Sequence, residues 1–120
     1  MSDEAIKSYR DLRVWREAML LAELGYRHTK DFPRDELFAL TAQIRRAAVS
    51  IPANIAEGYG RESTGNDLQF LRIAQGSCKE VDTHALLAQR VLDSAASPDK
   101  LLEQCDIVGK MLHGLIRSLQ

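Results

Sequence analysis

Apolar residues recur at helical spacing along four stretches of the chain, and breaker residues separate them. From about residue 11 to 31, Leu12, Trp15, Met19, Ala22 and Tyr26 are spaced three and four apart, which sets them on one helix face. A second row, Val14, Ala18, Leu21 and Gly25, lies about 120° away, and Leu20 and Leu24 cover a further sector. This helix therefore carries more apolar surface than one seam requires.

A second helix is expected from Pro33, a residue favoured in the first turn, with Asp35 and Glu36 placed where the helix dipole attracts anions. Its stripe is Leu37, Leu40, Ile44, Ala47, Ala48, Ile51 and Ile55. Pro52 falls inside this stripe and removes the hydrogen bond to the Ala48 carbonyl; the apolar period continues in phase, so a kink is expected rather than a stop. Gly58 and Gly60 are expected to cap the C-terminus.

The third helix opens at Thr64-Gly65-Asn66-Asp67, a capping-box spacing with Asp in place of Glu, and its seam is Leu71, Ala74, Cys78, Val81, Ala85, Ala88 and Leu92. Ser97-Pro98 opens the fourth, an N-cap followed by proline, with Leu101, Cys105, Val108, Leu112, Leu115 and Leu119 as its seam. Short connections make neighbouring helices antiparallel. The fold expected is thus all-α: an up-down-up-down antiparallel four-helix bundle over residues 11–120 with a proline-kinked second helix, preceded by a flexible N-terminal arm over residues 1–10.

Composition narrows the function. At 120 residues, 45% hydrophobic and 28% charged, the chain can bury one core and remain soluble. A net charge of -1 announces no polyanionic partner in bulk, so any such partner must meet a local patch. The N-terminus is polar and no run reaches the roughly 20 apolar residues of a membrane span, so the expectation is a cytoplasmic protein with no membrane partner. Cys78 and Cys105 show no CxxC or Cys/His zinc spacing and read as small buried hydrophobes. His28, His84 and His113 are scattered with no carboxylate at ligand spacing, and neither a phosphate loop nor a nucleophile elbow is present. No enzyme activity, metal or cofactor is expected.

Leu86 and Leu87 point away from the seam of the third helix; with the surplus rows of the first, they imply a surface covered by another subunit. On the second helix, Gln43, Arg46, Ser50, Asn54, Glu57 and Arg61 form a polar stripe of short side chains flanked by arginines. It reads either as an ordinary solvated face or as a packed contact. The residues assigned to a homo-oligomer interface are Val14, Leu21, Ser50, Asn54, Glu57, Leu86 and Leu87. Arginine supplies the remaining chemistry: Arg10, Arg13 and Arg16 lead into the first helix, Arg45 and Arg46 lie on the second, Arg61 follows it, and Arg72 is on the third. These seven are the candidate nucleic-acid contacts, since a modest patch repeated around an assembly multiplies its affinity for a polyanion.

The segment Leu40 to Arg61 (LTAQIRRAAVSIPANIAEGYGR) resembles the signature of the four-helix-bundle proteins encoded in intervening sequences of 23S ribosomal RNA genes, a family that includes the accessory variability determinant of diversity-generating retroelements. Asp11–Trp15 (DLRVW), Phe32–Glu36 (FPRDE), Phe70–Ser77 (FLRIAQGS) and Met111–Ile116 (MLHGLI) fit the same pattern, so the resemblance spans roughly residues 9 to 119. It implies a protomer that assembles into a barrel-like, ring-shaped homopentamer, with Ser50, Asn54 and Glu57 at protomer contacts. For the retroelement branch it implies binding of nucleic acid, RNA or DNA, and of a nucleic-acid-processing protein, a reverse transcriptase. The leading expectation is a non-enzymatic homo-oligomeric scaffold that binds RNA or ribonucleoprotein weakly; the alternative is a protein-interaction module without direct nucleic-acid contact.

Overall fold

The structure, a computed structural model, describes residues 6–60, 64–93 and 96–120. Among them are four helices and no strand: α1 Arg13–Thr29, α2 Leu40–Tyr59, α3 Thr64–Val91 and α4 Asp99–Leu119, with short 3-10 turns at Tyr9–Asp11 and Arg34–Glu36. The molecule measures 47 × 30 × 20 Å. One core runs through all four helices, contributed by Val14, Ala18 and Leu21 of α1, Ile44, Ala48, Ile51 and Ile55 of α2, Leu71 to Ala85 of α3 at seam spacing, and Leu101 to Ile116 of α4.

The seams expected for α3 and α4 are the buried ones, with Leu92, Leu115 and Leu119 half-covered at their ends. In α1 the choice between rows goes the other way. Val14, Ala18, Leu21 and Gly25 face inward, whereas Met19 and Tyr26 of the first row are exposed and Trp15 and Ala22 are half-buried. Small residues decide this, because the row with Ala18 and Gly25 lets backbones approach. A methyl group on Gly25 would stand 3.2 Å from the Ala48 Cβ of α2. A row led by Trp15, Met19 and Tyr26 would hold the helices further apart.

α2 begins at Leu40 rather than at Pro33. Residues 34–36 form a separate 3-10 turn, and a Glu36 carboxylate oxygen accepts the Leu40 N–H at 3.3 Å, capping α2 from four residues upstream. Leu37, expected in the core stripe, is consequently 46% exposed, and Phe38 beside it is 92% exposed. Pro52 is buried inside α2, and helix continues on both sides of it to Tyr59. Gly60 caps α2 in the right-handed conformation (φ -81°, ψ -2°), so no left-handed cap forms. Gly58 is not a cap at all: it is buried against α3, where a methyl group would lie 3.1 Å from Phe70 Cβ. At the start of α4 the Ser97 hydroxyl accepts from Asp99 N–H at 3.2 Å, the cap read from Ser97-Pro98. The cap assigned to the Thr64 side chain lies outside the described residues.

The described part of the N-terminal arm is docked. Ser8 and Asp11 form a reciprocal capping box around the first turn, and Tyr9 packs edge-on against Trp15 with ring centroids 5.3 Å apart. The Tyr59 hydroxyl donates to the Ile6 carbonyl at 3.4 Å. Residues 1–5 of the arm lie outside the described residues. None of the described helices is long and apolar enough to cross a membrane.

Candidate nucleic-acid and subunit surfaces

The candidate arginines do not form one patch. Arg10 and Arg16 are tied to the N-terminal turn: the Arg16 Nε donates to the Arg10 carbonyl at 3.0 Å, Arg16 lies 3.8 Å from the Asp11 carboxylate, and Arg10 stands over the Tyr9 ring. Backbone N–H groups of Lys7 and Ser8 hold the Asp11 carboxyl below its ordinary pKa, so it remains an anion within this arginine cluster. Arg13 is exposed nearby. Arg45 sits at the opposite end of α1, where its Nε donates to the Thr29 hydroxyl at 2.9 Å. Sixteen residues of helix separate Thr29 from Arg13, or about 24 Å at 1.5 Å per residue. Arg46 is exposed on α2, and Arg72 is exposed on the early part of α3. Arg61 lies outside the described residues. Two separated basic regions replace the single surface that spacing alone invited.

The interface assignments divide as clearly. Val14 and Leu21 are buried in the protomer core at 6% and 0% exposure, so neither is available to a partner and both assignments are corrected. Leu86 and Leu87 are 43% and 45% exposed, and Glu57 is also exposed. Ser50 and Asn54 are half-buried and bonded within the chain. Ser50 Oγ lies 3.0 Å from Ser77 Oγ across the α2–α3 seam, and Asn54 Nδ2 donates to the Ser50 carbonyl (2.8 Å) and hydroxyl (3.0 Å). The upper part of the polar stripe therefore serves the joint between α2 and α3 first. Ser77 sits one position before the Cys78 seam residue, so helical spacing alone does not single it out as the partner of Ser50.

Sequence spacing also missed Phe38, since it lies just outside the expected stripe. Its sequence signal is an aromatic beside the proline-led connector that no periodic face explains. Together with Met19, Leu20, Tyr26, Val49, Ile73 and Val91 it leaves apolar side chains exposed on α1, the α1–α2 connector, α2 and α3.

An open groove of about 340 Å³ lies between α3 and α4, lined by Gln75, Lys79, Asp82, Asp106, Lys110 and His113 with Cys78 and Cys105 at its floor. Burial pushes the Cys78 thiol up to about 12, and the Cys105 thiol higher still, so neither is a thiolate nucleophile at neutral pH. Burial also raises the Asp82 carboxyl, and it lowers the pKa of His28, which packs edge-on against Phe32. Among the described residues no group of three or more His, Cys, Asp or Glu has a metal-holding arrangement.

These features define an all-α protein of four helices, with separated arginine clusters and exposed apolar side chains around a single core. The chain belongs to the family of 23S rRNA-intervening sequence proteins: the family's sequence model matches residues 10–114. No curated protein sequence matches the chain significantly.

Proposed function

We propose that this protein is a non-enzymatic homo-oligomeric scaffold, a pentameric ring built from antiparallel four-helix protomers, that holds RNA or a ribonucleoprotein weakly through repeated basic surfaces. The observation that carries the reading is the coexistence of exposed Leu86, Leu87, Met19, Tyr26 and Phe38 with exposed Arg13, Arg46 and Arg72, none of which has a carboxylate partner among the described residues. Apolar side chains of that size favour burial against another subunit: covering Phe38, 92% exposed, is worth about 1.5–3 kcal/mol, and the others, 38–46% exposed, contribute roughly half as much each. Repetition then lets weak phosphate contacts act together.

Several contacts support the up-down-up-down arrangement. The end of α1 meets the start of α2 at Gly25 and Thr29, the end of α2 meets the start of α3 at Gly58 and Phe70, and the end of α1 meets the start of α4 around His28 and Leu101. Pro52, which cannot donate to the Ala48 carbonyl, supports a bend in α2. A cytoplasmic location suits an RNA partner.

Light scattering on the full chain, with and without structured RNA at low and moderate salt, tests the reading. A mass near five protomers that rises with RNA at low salt is expected. A monomer would remove the assembly argument. A stable oligomer indifferent to RNA would leave the scaffold and move the partner to a protein, the second reading that the exposed Phe38 and α3 leucines favour.

A further inference from the structure

At the corner where α1 hands over to α2 there is a pocket of about 240 Å³ that contains Arg45, one of the seven candidate arginines. Its lining is Thr29, Lys30, Phe32, Pro33, Arg34, Leu37, Thr41 and Arg45. Three of these side chains are cationic and two are hydroxylic. None is a carboxylate, although Asp31, Asp35 and Glu36 lie on the same connector. Glu36 is turned to the Leu40 N–H, and Asp31 and Asp35 are exposed to solvent.

The position of Arg45 is what makes this pocket more than a cationic surface. The Thr29 hydroxyl, buried at 2% exposure, donates to the Gly25 carbonyl at 2.9 Å and accepts from Arg45 Nε at 2.9 Å. One face of the guanidinium lies over the Tyr26 ring, with its carbon 4.6 Å from the centroid. The side chain is therefore held from two sides, and its Nε is already committed. What stays free is the Nη1–Nη2 edge, the fork that takes an oxyanion through two parallel hydrogen bonds. No carboxylate within 4.0 Å occupies that fork among the described residues. A half-buried arginine oriented in this way, without an anion of its own, is a receptor for one.

We infer that this corner is a binding site for a phosphate-class oxyanion, gripped by the Arg45 fork with Lys30 and Arg34 closing over it and the Thr41 hydroxyl within the same pocket. Three cations for one ligand favour a tetrahedral anion with several acceptor oxygens over a single carboxylate. Phe32, Pro33 and Leu37 supply the apolar part of the pocket's wall. A free phosphate ester and a backbone phosphodiester present the same chemistry here. The site does not require the RNA reading above, because it is separated from Arg13 by the length of α1.

The test is a titration of the full-length, ¹⁵N-labelled protein with inorganic phosphate, and separately with a short single-stranded RNA, at constant ionic strength. The readouts are the Arg45 Nε–Hε signal and the Thr41 amide. Saturable shifts confined to the pocket are expected, with affinity falling about tenfold or more in Arg34→Gln or Lys30→Gln, since a charge-assisted contact is lost. Both residues are exposed, so both variants keep the core intact. Saturation by inorganic phosphate assigns the pocket to a small phosphate; saturation by the oligonucleotide alone assigns it to a phosphodiester. Absence of a saturable Arg45 shift with either probe, or shifts unaffected by both variants, overturns the site. Arg13→Glu with Arg72→Glu is expected to abolish RNA retention and leave the phosphate titration unchanged, which separates failure of this site from failure of the RNA scaffold.

Discussion

Replacing glycine by alanine at four helical positions should give opposite results according to what stands opposite each one. In a helix interior alanine is better than glycine by up to about 1 kcal/mol, because it loses less backbone freedom on folding. At Gly76 of α3 and Gly114 of α4 nothing lies within 4 Å of the added methyl, so that gain should be kept, at about 0.5–1 kcal/mol each. At Gly25 the methyl would meet Ala48 Cβ at 3.2 Å and Ile44 Cγ2 at 3.8 Å. A β-carbon moves only with its backbone, so α1 and α2 must separate by a few tenths of an ångström. Overpacking of this kind costs about 1–3 kcal/mol, which outweighs the helix gain and leaves a net loss of up to about 2 kcal/mol. Gly58→Ala should behave similarly, because Phe70 Cβ stands at 3.1 Å and the Asp67 carbonyl at 3.5 Å. With about 2.1 cal/mol/K of unfolding entropy per residue, 1 kcal/mol corresponds to about 4 °C for a chain of 120 residues. Thermal melts at one fixed protomer concentration would show Gly76→Ala and Gly114→Ala about 2–4 °C above the parent and Gly25→Ala several degrees below it. The fixed concentration matters because self-association raises Tm by mass action. If Gly25→Ala proved as stabilising as Gly76→Ala, the claim that glycine selects the inward row of α1 would be refuted.

Further tests address the core and the groove between α3 and α4. Ile51 is fully buried, so Ile51→Ala should lower unfolding free energy by about 2–5 kcal/mol in urea titrations, with an unchanged slope if the native state stays compact. Cys78 and Cys105 should resist a colourless-to-yellow disulfide reagent at pH 8 in the native protein and react in denaturant; rapid native reaction would contradict their burial and raised pKa. Burial lifts the Asp82 carboxyl above its ordinary 3.8, so its protonated form is the one the fold favours. That contribution is fully present below pH 3.8 and is lost as pH rises through the higher native value, where the half-buried carboxylate ionises. Asp82→Asn should therefore raise Tm at pH 7 and give no gain at pH 3; an equal gain at both would mean that charge burial is not the cause.

The sequence by itself determined the four helices, the seams of α3 and α4 and the proline-bearing core of α2, because those properties follow from residue spacing within one element. Leu71, Ala74, Cys78, Val81 and Ala85 have only one consistent inward direction, and no competing row challenges them. Family membership was likewise legible, since the segment from Leu40 to Arg61 is long and distinctive. Tertiary structure decided every question in which two local answers were equally good. α1 offers two apolar rows, and only the contact of Gly25 with Ala48 selects the one containing Val14 and Leu21, removing both from any subunit surface. Leu37 keeps the helical phase of α2, yet Glu36 caps Leu40 and leaves Leu37 outside. Arg45 and Arg46 are adjacent in sequence, but one is held by Thr29 and Tyr26 while the other faces solvent. Periodicity fixes the direction in which a side chain leaves its own helix; what it then meets depends on how closely a neighbouring backbone can approach, and that distance is set by residues far away in the chain.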